Sequence, residues 1–311
     1  MKKNQIKKIL VVFLSILVLT GCTTQLKNKE TKKNITNEET GQVLTKNILC
    51  KPSDEIKSYY LENLDEEELK SFEELPECKN FGVTSGGYEG VWTSIIVKPL
   101  AWLIITLGNL VSNYGVGLII ASLLIRILMY PITRKTAMQS ELMKQAKPDL
   151  DKLEKKYAGK NDQDSMMKKS NEMALIYKKY NINPVSGCLF AIIQIPLFIG
   201  FLEAINRVPA IFEGSLLGFQ LGTTPMTAFS NGNFLYIILT LIVAATTYFS
   251  LTLNSASNPD NQQMKMMTRV MFGLILVTSL FMTSALNIYW VTTNLFTVVQ
   301  NLLVKRKKEK V

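Results

Sequence analysis

The stretch Leu118-Ile-Ile-Ala-Ser-Leu-Leu-Ile-Arg-Ile-Leu-Met-Tyr130 places one charged residue, Arg126, in the middle of an apolar run. An arginine at the centre of a membrane helix costs about 2.5–3.5 kcal/mol on insertion scales, so we expect it to face water or an anion instead of lipid. Ser122 and Tyr130 lie one turn before and after it on the same helical face. This stretch therefore predicts a membrane-spanning helix with one polar side.

Apolar segments of similar length recur along the chain and predict five spans, since crossing the hydrocarbon core takes about 20 residues. We place the spans at roughly 116–133, 186–206, 233–253, 268–285 and 287–304. Residues 134–183 carry twelve Lys and Arg against seven Asp and Glu, and the tail 305–311 carries five against one, whereas 207–232 contains one arginine. The positive-inside rule makes the two basic segments cytoplasmic and the amino terminus external. The predicted fold class is an all-α polytopic membrane protein with five transmembrane helices.

Two arrangements are open for residues 91–112, an apolar segment that contains Lys98, Trp92 and Trp102. We expect an interfacial helix on the outer side, with the tryptophans at headgroup level. As a sixth span, the segment would leave only 112–115 before the next one and would disturb the charge balance of the loops.

The basic loop 134–183 predicts a cytoplasmic helical hairpin. Residues 133–157 and 164–180 have the pattern of charged amphipathic helices, with a turn at Gly159-Lys160-Asn161. We expect Pro148 to bend or break the first helix. The hairpin is either a solvated linker, a contact surface for a ribosome or nascent chain, or a surface for anionic lipid heads.

Residues 1–22 have the features of an export signal. Four lysines precede the apolar run 9–19, which is shorter than a span and ends in Leu19-Thr20-Gly21-Cys22. The alternative is an uncleaved anchor helix with an incidental cysteine. Both place the chain from residue 23 onward outside the cytoplasm.

Residues 23–90 divide into two parts. The polar stretch 23–48 is expected to be a tether, since it has few apolar residues to bury. Residues 50–78 predict two short helices, one beginning near Ser53 and one with an Asp65–Glu68 capping box. Cys50 and Cys78 bracket these helices and form either a disulfide or two free thiols. This part of the protein is acidic, with nine basic and fourteen acidic residues in 23–90.

Several classes of enzyme are excluded by what the 311 residues lack. There is no histidine, no CxxC among the four cysteines and no glycine-rich nucleotide motif. These absences remove Ser-His-Asp hydrolysis, most zinc catalysis and P-loop energy coupling. We therefore expect no enzymatic activity and no cofactor or metal.

Polar residues recur in the other spans at helical spacing. They include Thr247 and Ser250 in the third span, Trp290 and Asn294 in the fifth, and Gln194 in the second, two residues before Pro196. Taken singly, such residues often join helices through hydrogen bonds. Glu203 is interpreted as the partner of Arg207, four residues later on the same helix.

A series of short motifs occurs in order along the membrane region. They are Arg126 with Tyr130-Pro131-Ile132-Thr133, Tyr177-Lys178-Lys179-Tyr180, Asn183-Pro184 with Gly187-Cys188, Gln194-Ile195-Pro196, and Asn287-Ile-Tyr289-Trp290-Val291-Thr-Thr-Asn294-Leu-Phe with Gln300. Over roughly residues 88–305 the chain resembles the YidC/Oxa/Alb membrane protein insertases. The residues 19–22 resemble the lipobox of the Gram-positive lipoproteins in that family, which implies that Cys22 is lipidated, with palmitate as an expected acyl chain.

The resemblance implies that the five helices surround a hydrophilic groove open to the cytoplasm and to lipid. It implies that Arg126 attracts acidic residues of a substrate's outer tail, and that the groove is lined by Arg126, Gln194, Ser250, Trp290 and Asn294. The implied partners are nascent membrane proteins and membrane lipids, with the Sec translocon and the ribosome as further candidates and no DNA. The chain departs from the family pattern at Phe190, Ser250 and Glu203 and throughout 23–87.

Two other functions compete with an insertase. A small-anion transporter or channel would use Arg126 as its binding charge, but it predicts inverted repeats that the sequence lacks. A lipoprotein receptor or scaffold would use 23–90 to bind a partner and its spans only as an anchor. The predicted organisation is thus a signal peptide (1–22), an external segment (23–90), an interfacial helix (91–112), a membrane core (113–304) containing the hairpin 134–183, and a basic tail (305–311).

Overall fold

The computed structural model describes residues 23–160, 162–183, 185–254 and 262–308. The side chains of 185–193, 254, 262–265, 267 and 306–308 are outside this description. The predictions for the signal peptide, for Cys22 and for the end of the basic tail fall outside the described residues.

The described chain is mostly helical. Its elements are α1 (Asp54–Asn63), α2 (Glu66–Glu73), α3 (Lys98–Val111), α4 (Tyr114–Tyr157), α5 (Gln163–Lys179), α6 (Val185–Arg207), α7 (Pro209–Phe212), β1 (Ser215–Leu216), β2 (Phe219–Gln220), α8 (Pro225–Ser230), α9 (Leu235–Asn254), α10 (Gln262–Phe281) and α11 (Ser284–Lys308). A π-helical turn, Thr93–Val97, leads directly into α3. The elements form two compact units. Their described residues are 23–122, 195–240 and 279–289 in the first, and 123–160, 162–183, 185–194, 241–254, 262–278 and 290–308 in the second.

Three described helices are long and apolar enough to cross a membrane. They are Thr93–Val111, Tyr114–Tyr157 and Leu235–Leu253, and Thr268–Phe281 is a shorter apolar helix. The first of these contains most of the predicted interfacial helix, which has the length and hydropathy of a span as well. Its location in the interface stays a prediction, as does the number of spans.

The helix α4 continues through both of its prolines, Pro131 and Pro148. The expectation that Pro148 breaks the helix is therefore wrong. On either side of that proline, Ala146 and Leu150 are buried in one hydrophobic cluster with Ile182. This packing holds the backbone in register across the single hydrogen bond that a proline removes.

The two helices of the hairpin prediction are both present in the second unit. Asp162 caps α5 by accepting a hydrogen bond from the Ser165 amide at 2.8 Å. Salt bridges join α4 to α5, between Lys179 and Asp149 at 2.7 Å and between Lys156 and Glu172 at 2.6 Å. These exposed pairs contribute little each, so the buried cluster around Leu150 is the main contact between the two helices.

Residues 23–48 are folded, which corrects the prediction of a tether. Antiparallel bridges pair Gln25 with Thr45, Lys27 with Asn34 and Thr36 with Val43. Leu26, Leu44 and Ile48 are buried in one core with residues of α1 and α2. The composition of residues 23–48 alone does not reveal this fold. Three apolar side chains are enough to fold the segment when helices from elsewhere in the chain complete the core.

The helices α1 and α2 complete this small core. The capping box is confirmed, since the Glu68 amide donates to Asp65 Oδ1 at 2.9 Å and the Asp65 amide donates to Glu68 Oε2 at 3.2 Å. Tyr60 stacks on Phe72 with ring centroids 5.2 Å apart, and its hydroxyl donates to the Thr45 carbonyl. The two helices are thereby attached to residues 23–48.

Cys50 and Cys78 are joined by a disulfide, with Cα atoms 4.8 Å apart. Of the two alternatives left open by the sequence, the structure has the bonded one. The bond closes a loop that contains α1 and α2, and backbone pairing of Lys51 with Glu77 lies beside it.

Removing this disulfide is expected to destabilise the small core. A sequence separation of 28 residues corresponds to about 3–4 kcal/mol in the loop-entropy model. We expect trypsin to cleave the lysines of 23–90 faster in the Cys50→Ser, Cys78→Ser variant than in the wild type. Cys188→Ser is the matched control and should be cleaved at the wild-type rate. Equal cleavage rates for all three proteins would contradict the prediction.

A cluster of buried charges fixes residues 23–90 to the ends of α3 and α6 in the first unit. Arg207 is 1% exposed and donates to the Asn47 carbonyl (2.6 Å) and to Glu89 (2.5 Å). Lys98 is fully buried and is bound by Glu89 at 2.9 Å and by two backbone carbonyls. One carboxylate thus pairs with two buried cations.

The predicted Glu203–Arg207 ion pair is wrong. Glu203 Oε1 accepts a hydrogen bond from the Trp92 indole at 2.9 Å, while Arg207 pairs with Glu89. The i,i+4 spacing does place both residues on one face of α6. The guanidinium nevertheless reaches acceptors outside α6, namely the Glu89 carboxylate, the Thr93 hydroxyl and the Asn47 carbonyl.

Acidification is expected to weaken this cluster. Partial burial raises the pKa of Glu89, but hydrogen bonds from Lys98 and Arg207 outweigh it and hold that pKa below its ordinary value of 4.5. The ionised carboxylate therefore contributes stability that is present above pH 4.5 and is lost as the pH falls through the lowered pKa. In detergent, the melting temperature of the wild type should fall more steeply below pH 4.5 than that of Glu89→Gln. Parallel pH profiles would count against this role of Glu89.

Candidate functional site

The second unit buries many polar side chains and exposes many large apolar ones. Its buried polar residues are Arg126, Thr133, Ser140, Thr246, Thr247, Ser250, Thr292, Thr293, Thr297 and Gln300. Its exposed residues include Leu124, Ile127, Leu128, Tyr248, Phe249, Val270, Leu274, Val277, Leu295, Val299 and Leu302. This distribution suits helices whose outer faces contact lipid and whose inner faces carry polar function.

Arg126 lies on the inner face of α4. Arg126 is only 6% exposed, whereas the next two residues, Ile127 and Leu128, are 60% and 73% exposed. Helical geometry explains the contrast, because adjacent residues point about 100° apart around the axis. The charge is therefore held away from the face that lipid would contact.

One predicted groove residue, Asn294 on α11, forms a hydrogen bond to Thr247 on α9. Asn294 Nδ2 donates to Thr247 Oγ1 at 2.9 Å. Ser250 is buried one turn after Thr247, and Trp290 is half-buried one turn before Asn294. Helical spacing places Ser250 on the same face of α9 as Thr247, and Trp290 on the same face of α11 as Asn294. We call these four residues the polar seam.

Gln194 is half-buried on α6 and belongs to the same unit as the other four candidates. It directly follows 184–193, whose side chains are outside the described structure, Cys188 and Phe190 among them. Its role in lining the groove stays a prediction.

A second hydrogen bond between polar residues of two helices was not predicted from the sequence. Thr133 on α4 and Gln300 on α11 exchange hydrogen bonds, with the Gln300 amide nitrogen 2.9 Å and its oxygen 3.2 Å from Thr133 Oγ1. Both are buried, as are Thr293 and Thr297 on the same side of α11. The repeat of polar residues every three or four positions indicated a polar face, but no local pattern could join residues 167 positions apart.

The Thr133–Gln300 pair is expected to couple α4 and α11 weakly. Hydrogen bonds between membrane helices average about 0.6 kcal/mol in double-mutant cycles and reach about 1.7 kcal/mol. We expect Thr133→Val and Gln300→Leu to be non-additive by an amount in that range, measured by unfolding in mixed micelles. Additive effects would show that the pair contributes no interaction energy.

The helix α9 ends at a contact from the hairpin. Lys144 Nζ donates to the Leu253 carbonyl at 2.8 Å. A cation at a helix carboxyl end satisfies a carbonyl that lacks an intrahelical partner and complements the helix dipole. The hairpin is therefore bound to a helix that also carries part of the polar seam.

Comparisons with known proteins identify relatives of the whole membrane region. The family model described as 60Kd inner membrane protein matches residues 106–311. Membrane protein insertase MisCA of Bacillus subtilis (strain 168) is 36% identical over 216 residues, covering 69% of this chain and 79% of that protein. Membrane protein insertase YidC of Oceanobacillus iheyensis is 34% identical over 221 residues, covering 70% of this chain and 85% of that protein.

The crystal structure of an active YidC insertase with its first transmembrane domain resolved is also similar. The TM-score is 0.46 at 20% sequence identity, and the match covers 78% of this chain and 51% of that one, so this chain spans about half of the solved protein. Residues 23–105 lie outside the family match. The relatives confirm the resemblance of the motifs and do not favour the transporter or receptor alternatives. The chain is an all-α membrane protein that belongs to the YidC/Oxa/Alb family of membrane protein insertases.

Proposed function

We propose that this chain inserts newly made proteins into the membrane, and assists their folding there, through a hydrated groove in the second unit. The observation that carries this proposal is the burial of Arg126 on the inner face of a helix whose outer face is apolar. A buried arginine is costly in a membrane unless it faces water or an anion. The substrates we propose are membrane proteins whose short outer tails contain acidic residues.

The groove would lower the cost of moving a polar tail across the hydrocarbon. Hydroxyl and amide groups of the polar seam substitute for water along part of the path. Arg126 attracts the carboxylates of the tail, and the attraction is stronger there than in bulk water because the effective dielectric constant is lower. The substrate helix then leaves sideways into lipid, where apolar surfaces of similar chemistry meet it.

No covalent bond is made or broken in this process, so the proposal includes no catalytic residue and no cofactor. Specificity arises from the charge of the tail and from the hydropathy of the segment that follows it. The half-buried Gln194 is proposed to extend the polar lining.

We further propose the orientation and anchoring of the chain. Cys22 would carry a lipid on the outer side after removal of 1–21, and the carboxyl terminus would be cytoplasmic, as the positive-inside rule favours. The hairpin 134–183 and the tail would then face the ribosome, whose phosphates suit their excess of lysine. The Sec translocon is a second proposed partner, and 91–112 is proposed to lie in the outer interface.

Reconstitution tests the function directly. Purified protein in liposomes should insert a small single-span substrate with an acidic outer tail, which is measured by protection of the tail from external protease. Empty liposomes provide the background. Insertion at background level would refute the insertase proposal, and anion flux across the same liposomes would then support the transporter.

A further inference from the structure

The loop between α6 and α9 exposes large apolar side chains and lacks charge. Residues 214–234 contain no Asp, Glu, Lys or Arg, in contrast to the charge-dense segment 23–90. Leu217 is 87%, Phe234 62% and Phe229 50% exposed, and Met226 and Leu235 are 44% and 39% exposed. We call these five residues the apolar loop patch. Water-facing loops rarely combine exposed large apolar side chains with a complete lack of charge.

The apolar loop patch is one surface. The rings of Phe229 and Phe234 are in edge contact, with centroids 5.6 Å apart. The β1–β2 hairpin packs on the start of α9, since Phe219 contacts the Tyr236 ring at 5.3 Å and the Gln220 amide donates to the Tyr236 hydroxyl at 2.8 Å. The hairpin turn therefore lies beside Phe234 and Leu235.

Leucine is an unusual residue at position 217, in the turn of the hairpin, if that turn faces water. Leu217 and Gly218 both have positive φ angles, 52° and 86°. Two-residue turns of this kind favour Asn, Asp or Gly, because a leucine side chain crowds its own backbone there. With 87% exposure, Leu217 gains almost no packing from the described protein in return. Burial against a partner would offset this cost.

The contacts of the hairpin fix its depth. Asn113 Nδ2 donates to the Ser215 carbonyl at 3.0 Å, and its Oδ1 accepts from the Val116 amide in the first turn of α4. The hairpin thus touches the starts of both α4 and α9, two helices that can cross a membrane by length and composition. Such helices begin at the headgroup region. The exposed Ile237 and Ile238 of α9 continue the apolar surface beyond the patch.

We propose that the apolar loop patch is immersed in the lipid interface of the leaflet at which α4 and α9 begin. Leu217 is its tip and reaches the boundary between headgroups and acyl chains. The partner is the lipid itself, because the patch is continuous with the exposed apolar face of a spanning helix and carries no charge that would oppose immersion. This loop holds the first unit at a fixed depth, independently of whether Arg126 acts in insertion.

Depth-dependent quenching tests the proposal on the full chain. Leu217→Cys is made with Cys22 and Cys188 replaced by serine, labelled with an environment-sensitive fluorophore, and reconstituted in phosphatidylcholine–phosphatidylglycerol vesicles. Some of the lipids carry a nitroxide near the top of the acyl chain. Glu66→Cys, exposed on the charged helix α2, is the matched control. We expect the lipid nitroxide to quench the label at 217 about threefold more than the label at 66, with the reverse order for aqueous iodide.

A second site keeps the test decisive if Leu217→Cys disturbs the turn. Phe229→Cys lies in a helix outside the strained turn and should show the same preference for the lipid quencher. Strong iodide quenching at both sites would show that the patch faces water and would overturn the proposal. Protection from both quenchers would overturn it as well, because the patch would then be covered by protein, such as a second copy of the chain.

Discussion

Arg126→Ala is expected to reduce insertion of an acidic-tailed substrate about ten- to hundredfold, because a hydrogen bond to a charged group contributes about 1.5–3 kcal/mol. Arg126→Lys should restore a large part of the rate, since it keeps the charge but loses the planar fork that binds a carboxylate at two points. The measurement is the initial rate of tail protection in liposomes. Circular dichroism of each variant checks that the fold is retained.

The control for charge is a substrate with the same helix and a neutral tail. Its insertion should be nearly unchanged in Arg126→Ala, because the loss is confined to attraction of carboxylates. Arg269→Ala is the matched protein control, since it removes an exposed arginine from α10 in the same unit. If Arg126→Ala inserts the acidic-tailed substrate at the wild-type rate, Arg126 is not the residue that attracts it.

Arg207→Ala is expected to lower the stability of the first unit by about 3 kcal/mol. Removing one partner of a buried ion pair costs about 3–5 kcal/mol, and the low end applies because the Glu89 side chain is 35% exposed and retains Lys98. The substitution also leaves the Asn47 carbonyl and the Thr93 hydroxyl without their donor. We expect a lower melting temperature in detergent and faster trypsin cleavage within 23–90.

Arg207→Lys separates charge from geometry in this cluster. A lysine keeps a cation near Glu89 but cannot reproduce three separate contacts of the guanidinium, so its melting temperature should lie between those of Arg207→Ala and the wild type. Arg269→Ala again provides an exposed arginine as control and should melt like the wild type. A melting temperature of Arg207→Ala equal to that of the wild type would mean that the cluster does not hold the two segments together.

These two predictions concern two buried arginines with different roles, one structural and one toward a substrate. Arg207 is surrounded by acceptors from three segments and has a structural role. Arg126 lies between exposed apolar positions on a helix whose inner face is lined with hydroxyl groups, and its proposed work is on a substrate. Insertion assays should therefore be sensitive to Arg126, and unfolding assays to Arg207.

Much of the protein was determined by sequence alone, wherever a short-range pattern carries the physical cause. Apolar segments of about 20 residues define membrane helices because the hydrocarbon has a fixed thickness. The Asp65–Glu68 box was predictable because both of its hydrogen bonds lie within one turn. The motifs around Arg126, Tyr177 and Asn294 identified the family because their order along the chain is itself information, and the relatives confirmed it.

Only the tertiary structure decided which distant residues pack in one core or form an ion pair. Leu26 and Leu44 are buried in a folded core because α1 and α2 cover them. Arg207 forms its ion pair with Glu89, 118 residues away, and not with Glu203 on its own helix. The pairing of Thr133 with Gln300 and the exposed Leu217 at a positive φ angle were likewise beyond any local pattern. The physical reason is that burial and ion pairing depend on what surrounds a side chain in space, whereas sequence patterns report only neighbours along the chain.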